Sequence, residues 1–306
     1  MPGSAHHPSR NLPKRKRGLM LKRIAVMAAA LAAVAATSAW RGSQPAERFY
    51  FIQLTDPQLG MYRADSDFVQ DAANLEFAIA SVNRLHPAFV VITGDLVNKP
   101  GDSAQVAAYH RITGKLDRSI MLYSLPGNHD IGNIPTPATI ARYRRQFGPD
   151  HYVFRSGALA GVVLNSSLLQ QPDSAPGEDA AQEKWLGDTL AALSRERGTQ
   201  IVVFQHHPWF LAQPTEANQY FNIPVEIRAR YLALFKRYGV RYLFSGHYHQ
   251  NAIGHDGPIE MITTGPVGKP FGDTKSGMRI VMVTDSGLAH RYVEFGDLPN
   301  RLPVVK

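Results

Sequence analysis

The chain has 306 residues, of which 44% are hydrophobic, enough to bury one large core or two smaller ones. It has no cysteine, which excludes cysteine-ligated zinc, iron–sulfur clusters and a thiol nucleophile. The formal net charge is +8, but seven of the 33 basic residues and none of the 25 acidic ones lie before Trp40, which leaves +1 for the rest. A nucleic-acid-binding domain is expected to carry a basic stripe, so the charge does not indicate DNA or RNA as a partner.

Residues 1–43 have the layout of a secretory leader with a short linker. Basic residues precede an uncharged, alanine-rich run from Ile24 to Ala36, and small residues follow it before Trp40. We therefore expect a periplasmic or secreted protein whose membrane contact is transient and made through the leader only. A retained membrane anchor is the alternative, although the run is shorter than the ~20 apolar residues that a span needs. Residues 44–306 are expected to form one domain.

Apolar runs alternate with helical patterns along most of this domain. Strands are predicted at 48–54, 89–93, 120–124, 152–154, 162–165, 201–204 and 242–244. Helices are predicted at 67–85, 103–116 (with Ser103 as the N-cap), 136–147, 178–195 and 225–238. Beyond Gln250 the pattern changes to strands at 259–264, 278–283 and 288–295, joined by glycine-rich turns. An alternating body followed by antiparallel strands indicates an α/β fold with a two-layered sheet core and helices outside.

Five of the apolar runs end in side chains that are suited to binding metals. In chain order these ends are Asp56-Pro57-Gln58, Gly94-Asp95, Gly127-Asn128-His129-Asp130, His206-His207-Pro208 and His247-Tyr248-His249. Open α/β sheets place their ligand sites at the carboxyl ends of the strands, so parallel runs would bring these ends to one edge. The sequence therefore predicts a cluster of oxygen and imidazole ligands, enough for two divalent cations.

Taken together and in this order, the motifs resemble those of the calcineurin-like metallophosphoesterases, over about residues 49–249. The strings at 127–136 and 244–249 look most like the subgroup called calcineurin-like phosphoesterase domain-containing protein 1, which includes serine/threonine phosphatases. The resemblance implies a four-layer α/β/β/α sandwich of two mixed sheets flanked by helices. It also implies an enzyme that hydrolyses phosphate esters with the help of two metal ions.

The resemblance also implies a role for each motif residue. One metal would be held by Asp56, Gln58, Asp95 and His249, and the second by Asp95, Asn128, His206 and His247. His129 would stay off the metals and stabilise or protonate the leaving oxygen. His206 is preferred to His207, because the family pattern is a ligand histidine, one residue and then proline. A carboxylate shared by both metals reduces their repulsion, and the pair would generate a bridging hydroxide that attacks phosphorus.

Gln58 departs from the family pattern, which usually has histidine at this position. An amide oxygen is a harder and weaker ligand than imidazole, so Mn²⁺ is the expected metal, with Mg²⁺, Fe and Zn²⁺ as alternatives. A second expected consequence is that the metal site containing Gln58 is only partly occupied by its cation.

Substrate contacts are harder to assign from the sequence. Asn165 follows a predicted strand, and Lys269 and Arg279 lie in a glycine-rich stretch, so all three are candidates for binding substrate, with structural or solvated roles as the alternative. Two connections interrupt the alternation near the expected metal edge, at 170–177 and 211–224. Aromatic residues in and just before the second connection, Trp209, Phe210, Tyr220 and Phe221, are expected either to grip substrate or to pack against the core.

The expected function is hydrolysis of phosphomonoesters, in the manner of a serine/threonine phosphatase. A phosphodiesterase acting on cyclic nucleotides or glycerophosphodiesters is the alternative within the same class. A degenerate member of the family that binds metal or ligand without turnover is the alternative from another class, and Gln58 is the feature that favours it.

Overall fold

The computed structural model describes residues 48–303, together with the isolated Gly3. The leader predicted for residues 1–43 therefore lies outside the described residues, and its boundary stays a prediction. No helix within the described part of the chain is long and apolar enough to cross a membrane.

The described residues form an alternating series of strands and helices, followed by a strand-rich end. The strands are β1 (Phe49–Leu54), β2 (Phe89–Thr93), β3 (Met121–Leu125), β4 (Tyr152–Ser156), β5 (Leu159–Val163), β6 (Gln200–Phe204), β7 (Tyr242–Ser245), β8 (Ala252–Asp256), β9 (Ile259–Thr263), β10 (Gly277–Thr284) and β11 (Gly287–Glu294). The helices are α1 (Val69–Leu85), α2 (Ser103–Thr113), α3 (Asn128–Ile131), α4 (Pro137–Phe147), α5 (Ser167–Gln170), α6 (Glu178–Leu193) and α7 (Val225–Arg237).

The strands build two mixed sheets. Sheet one has the order β11-β10-β1-β2-β3, and sheet two has the order β4-β5-β6-β7-β9-β8. In sheet one, β1, β2 and β3 are parallel, and the hairpin of β10 and β11 adds to β1 in the antiparallel sense. In sheet two, β5, β6, β7 and β9 are parallel, with β4 and β8 as antiparallel edges. The strands that precede the five motifs thus lie in the parallel part of one sheet or the other.

Strands β1, β2, β6 and β7 are largely buried on both faces, which explains why they appear in the sequence as apolar runs, whereas β3 is a partly exposed edge strand. In β1, Ile52 and Leu54 point to the helices, whereas Phe51 points to the opposite sheet. Between the sheets, the ring of Phe51 meets the rings of Phe204 and Phe244 edge-on, at 5.9 and 5.7 Å between centroids. The phenylalanine layer therefore joins sheet one to sheet two.

Helices cover the outer face of each sheet. Leu75, Ile79 and Val82 of α1 pack in one core with residues of β1 and β2. On the other side, Leu186 of α6 and Phe235 of α7 pack in a second core with residues of β6 and β7. The predicted four-layer α/β/β/α arrangement is confirmed.

Some local predictions were wrong. The cap of α2 is Asp102 and not Ser103, since the Asp102 side chain accepts hydrogen bonds from the backbone amides of Ala104 and Gln105. Strand β8 was not predicted, because Gly254 interrupts its short pattern. A side chain at Gly254 would lie within 3 Å of the Phe210 ring and the Ala212 carbonyl, so only glycine fits at this edge.

Candidate dinuclear metal centre

The loops that follow the motif strands are tied to one another at a single edge. The backbone amides of Asp56 and Gln58 donate to the carbonyls of Gly94 and Asp95, at 3.1 and 2.8 Å. The backbone amide of His247, from sheet two, donates to both carboxylate oxygens of Asp56, from sheet one, at 3.2 and 3.1 Å. Both sheets therefore deliver their motif residues to the same place, as the sequence predicted for parallel strands.

Two glycines make this close approach possible. A Cβ on Gly127 would collide with the Asp95 carboxylate, and one on Gly246 would collide with the Thr55 hydroxyl and the Asp56 carboxylate. Because neither glycine has a Cβ, the backbone of each of these two motifs can lie in direct contact with a candidate ligand.

The candidate ligands form two overlapping groups. Ligand atoms of Asp95, His206 and His247 lie within 4.8 Å of one another, and so do those of Asp56, Asp95 and His249. Asp95 belongs to both groups, which is the arrangement expected of a carboxylate that bridges two cations. All the predicted ligands are buried, and His247 is the most exposed of them at 4%.

Each imidazole in the cluster is held by a backbone carbonyl, which fixes the nitrogen that is left for a metal. His206 Nδ1 donates to the Thr93 carbonyl at 2.9 Å, and His249 Nδ1 donates to the Lys269 carbonyl at 2.6 Å. Both rings therefore keep Nε2 for the cluster, where His206 Nε2 lies 3.3 Å from Asp95 Oδ1 and His249 Nε2 lies 3.5 Å from Asp56 Oδ1. Such anchoring is typical of metal-binding histidines.

The oxygens of the two candidate carboxamide ligands, Asn128 and Gln58, have different surroundings. Asn128 Oδ1 lies 3.0 Å from His206 Nε2. Gln58 donates its Nε2 to Asn98 Oδ1 at 3.2 Å, whereas its Oε1 is buried and has no hydrogen-bond partner among the described residues. A buried carbonyl oxygen without a partner costs roughly 1–3 kcal/mol, unless another group binds it. The donor set thus fits a pair of divalent cations.

The backbone at the cluster is strained. The ligand candidates Asp56, Gln58, Asp95, His247 and His249 all have positive φ, between 39° and 66°. For residues other than glycine this region costs roughly 1–3 kcal/mol, and it persists only where the surrounding structure enforces it. Such strain concentrates at functional sites, so its occurrence at five of the seven candidates supports the location of the site.

Sequence comparison decides the family. Residues 49–251 match the family model described as calcineurin-like phosphoesterase. The chain belongs to the calcineurin-like phosphoesterase family. It is 37% identical over 269 residues to the serine/threonine-protein phosphatase CPPED1 of Danio rerio, covering 83% of this chain and 87% of that relative. It is 34% identical over 280 residues to the human protein of the same name, covering 86% and 88%.

Solved structures agree on the fold of this phosphoesterase. A dimetal phosphatase from Danio rerio superposes with a TM-score of 0.57 at 16% identity, over 81% of this chain and 99% of that one. GAP50, the anchor in the inner membrane complex of Plasmodium, gives a TM-score of 0.61 at 14% identity, over 82% and 86%. Together with the family membership, the site identifies a dinuclear-metal phosphoesterase, and the predicted class of metal-dependent phosphoric ester hydrolase is confirmed.

Burial and neighbouring charges shift the pKa values of the residues in the phosphoesterase cluster. Burial raises the pKa of the Asp56 carboxyl, although His249 and His206 oppose this effect. Burial acts in the same direction on Asp95, but the neighbouring His206 and His129 hold the pKa of Asp95 well below its usual range. Burial and the adjacent His206 lower the pKa of His247 to about 3, so this ring is neutral and able to bind a metal.

His129 lies beside Asp95, the candidate bridging carboxylate, but belongs to neither candidate ligand group. Its backbone amide donates to Asp95 Oδ1 at 2.9 Å, and its Nδ1 donates to the Asn98 carbonyl at 2.8 Å. The residue is partly exposed, and its Nε2 has no hydrogen-bond partner among the described residues. Asn98 was not predicted as a site residue, although it orients both His129 and Gln58. The signal was its position in the Gly94-Asp95-Leu96-Val97-Asn98 loop, three residues after Asp95.

Asp130 links two motif loops. Its carboxylate accepts from the backbone amides of Leu96 and Val97, at 2.9 and 3.1 Å, and from that of Gly127 at 2.8 Å. Burial and the nearby Asp95 raise the pKa of Asp130 to about 7. The residue therefore holds the Asp95 and Asn128 loops together.

The predicted substrate residues are placed differently from the metal ligands. Asn165 is buried, and its carboxamide donates to Asp150 and accepts from the backbone amide of Ser167. Arg279 is buried as well and donates to Thr264, Asn251 and the ring of His290; these three contacts are at 2.7, 2.8 and 3.0 Å. Lys269 is partly exposed, and its backbone carbonyl accepts from His249, so its backbone lies next to the candidate metal centre. A substrate role for these residues stays a prediction.

Proposed function

We propose that the chain is a phosphomonoesterase that resembles the serine/threonine phosphatases in activity. The observation that carries this proposal is the position of Asp95, which is shared by two groups of candidate ligands and has His129 beside it. Relatives at 32–37% identity that are named serine/threonine-protein phosphatases support the choice of a monoester.

The proposed ligands divide as the family resemblance implies. Asp56, Gln58, Asp95 and His249 would hold one metal ion, and Asp95, Asn128, His206 and His247 would hold the other. When bound, the metals supply Lewis acidity, an activated water and neutralisation of charge on the phosphoryl oxygens. The protein supplies buried donors that are fixed by hydrogen bonds, so little reorganisation is needed during the reaction.

His129 would handle the proton of the leaving group. The Nδ1–H bond to the Asn98 carbonyl fixes the ring, and a protonated Nε2 can donate to the oxygen that leaves phosphorus. An alkoxide is a poor leaving group, so this proton matters most for serine and threonine esters.

We further propose that Mn²⁺ is the working metal, because Gln58 puts an amide oxygen where related enzymes have imidazole. Metal-free protein reconstituted with single metals should be most active with Mn²⁺. A Gln58→His variant should shift that preference towards zinc or iron. An unchanged order of metals in the variant would contradict this role for Gln58.

A substrate panel tests the activity. With Mn²⁺ added back, the purified protein should hydrolyse p-nitrophenyl phosphate and phosphoserine or phosphothreonine peptides, and O-phosphoserine as a small substrate. Comparable hydrolysis of bis(p-nitrophenyl) phosphate would indicate a phosphodiesterase instead. A protein that binds metal but turns over none of these esters would be a degenerate, ligand-binding member of the family.

Export is proposed on the sequence of residues 1–43 alone. Expression of the full chain in a bacterium with a periplasm, followed by fractionation and N-terminal sequencing, tests it. Export predicts a periplasmic product that begins near Trp40, and small extracellular phosphates would then be better substrates than cytosolic phosphoproteins. An uncleaved product in the membrane fraction would indicate the anchor instead.

A further inference from the structure

One aromatic residue touches two of the proposed ligands of the second metal. Tyr220 lies in the connection at 211–224, which we call the aromatic loop. Its hydroxyl accepts from Asn128 Nδ2 at 3.2 Å, and its backbone carbonyl accepts from His247 Nε2 at 3.2 Å. Its ring also lies against the His247 imidazole, with 5.0 Å between centroids.

These contacts decide which atoms Asn128 and His247 turn towards the cluster. Asn128 Nδ2 donates to Asn133 at 2.8 Å and to Tyr220 at 3.2 Å, so both of its hydrogens are used and Oδ1 faces His206. His247 donates Nε2–H to the Tyr220 carbonyl, which leaves Nδ1 with a lone pair. Tyr220 thus fixes the orientation of one ligand through its side chain and of another through its backbone.

The aromatic loop is rigid enough to act in this way. The buried Arg228 donates to the carbonyls of Pro214, Glu216 and Ile223, at 2.7–3.1 Å. The Glu216 carboxylate accepts from the backbone amide of Leu211 at 2.7 Å and from Asn222 Nδ2 at 2.8 Å. A guanidinium and a carboxylate therefore hold both ends of the loop, and the position of Tyr220 is set by them.

The ring of Tyr220 is also available to substrate. Trp209 and Phe210 just before the loop are fully buried in the core of sheet two, but Tyr220 is 56% exposed. Phe221 packs beside it at 5.3 Å between centroids, and also reaches Tyr248 at 5.1 Å. An exposed aromatic face next to the metal ligands offers a flat apolar surface to the group that leaves phosphorus.

We propose that Tyr220 positions Asn128 and His247 for the second metal and that its exposed ring forms the wall on which the leaving group rests. This inference rests on the metal assignments of the proposed function. It predicts a preference for phosphomonoesters whose leaving group has a flat or apolar face close to the phosphate.

Calorimetric titration of metal-free protein with Mn²⁺ tests the positioning role. Wild-type protein should bind two equivalents. Tyr220→Phe keeps the ring and the carbonyl, so only the hydroxyl contact is lost, and the second equivalent should bind about 10- to 100-fold more weakly. Saturating Mn²⁺ should restore kcat. Tyr238→Phe at the end of α7, away from the cluster, is the matched control and should bind like the wild type.

Tyr220→Ala tests the wall. The KM for p-nitrophenyl phosphate should rise about 2- to 10-fold at saturating Mn²⁺, whereas the KM for O-phosphoserine should change little, since its leaving group has no flat face. Thermal unfolding of both variants at the wild-type temperature would show that they are folded.

The outcomes separate the two levels of the proposal. Fewer than two equivalents on the wild-type protein would contradict the proposed function itself. Two equivalents on the wild type and the same two affinities on Tyr220→Phe would overturn the positioning role alone. An unchanged ratio of the two KM values in Tyr220→Ala would overturn the wall.

Discussion

Sheet one and sheet two contribute different chemistry to the same edge. The loops of sheet one supply the proposed oxygen ligands, Asp56, Gln58, Asp95 and Asn128, whereas the loops of sheet two supply the proposed imidazole ligands, His206, His247 and His249. Each group of ligand atoms around Asp95 draws on both sheets. Neither sheet can therefore complete a metal site by itself, and the packing of the two sheets is a condition for the chemistry.

The residue proposed for proton transfer, His129, follows a strand of sheet one. Replacing His129 by alanine should lower kcat by about 10²–10⁴-fold while both metals stay bound, because its ring is outside the ligand set. The loss should be larger for O-phosphoserine than for p-nitrophenyl phosphate, whose leaving group needs the proton less. Exposed His255 on β8 is the matched control, and His255→Ala should keep its kcat. Wild-type turnover of the alkyl ester by His129→Ala would contradict this role.

A substitution in the interface between the two sheets should also have a large effect, in this case on the free energy of unfolding. Phe204 is fully buried, stacks on Phe244 at 5.4 Å between centroids and contacts Phe51 of the other sheet. Phe204→Ala should lower the free energy of unfolding by about 3–5 kcal/mol in urea titrations, and should weaken metal binding as well. Phe77→Ala, at a ring that is 47% exposed, is the control and should cost much less. Equal losses in the two variants would mean that the phenylalanine layer does not hold the halves together.

Two buried carboxylates outside the cluster, one near each sheet, have pKa values that are shifted in opposite directions. Burial acts to raise the pKa of Asp150, near β4 of sheet two, but His151, Arg144 and Asn165 keep it well below its usual range. Asp71 of α1, which packs on sheet one, has only backbone donors, and burial raises its pKa from 3.8 to about 6. One of its oxygens, Oδ1, has no partner among the described residues.

This difference predicts a smaller, pH-dependent effect. Unfolded protein ionises Asp71 near pH 3.8, but folded protein does so only near pH 6. The contribution of Asp71 to stability is therefore complete below pH 3.8 and is lost as the pH rises through 6. Relative to wild type, metal-free Asp71→Asn should gain about 3 kcal/mol between those pH values, measured by urea unfolding. The exposed Asp188→Asn should show no such gain, and a pH-independent difference for Asp71→Asn would contradict the shift.

The sequence predicted the elements whose cause is local. Strands β1, β2, β6 and β7 are unbroken apolar runs because they are buried on both faces, and their polar ends mark the carboxyl edge of the sheets. The order of the motifs was specific enough to identify the family. Helix α1 followed in the same way from the spacing of its apolar residues.

What could not be predicted depends on contacts between distant segments. The carbonyls of Thr93 and Lys269 that orient His206 and His249 leave no mark on residue type. The hydrogen-bond partners of Asn165 and Arg279 come from other loops and strands, so they are visible only in the fold. The strand β8 was hidden because its glycine is required by a loop more than forty residues earlier in the chain.

The metal content of an Asp95→Asn variant tests the shared carboxylate most directly. We predict that the wild type binds two divalent cations per chain, and that the isosteric variant loses at least one of them. Its turnover of p-nitrophenyl phosphate should fall about 10³-fold, because several kcal/mol of transition-state stabilisation are lost. A variant that binds two cations with wild-type affinities and hydrolyses the ester at the wild-type rate would contradict the bridging role of Asp95.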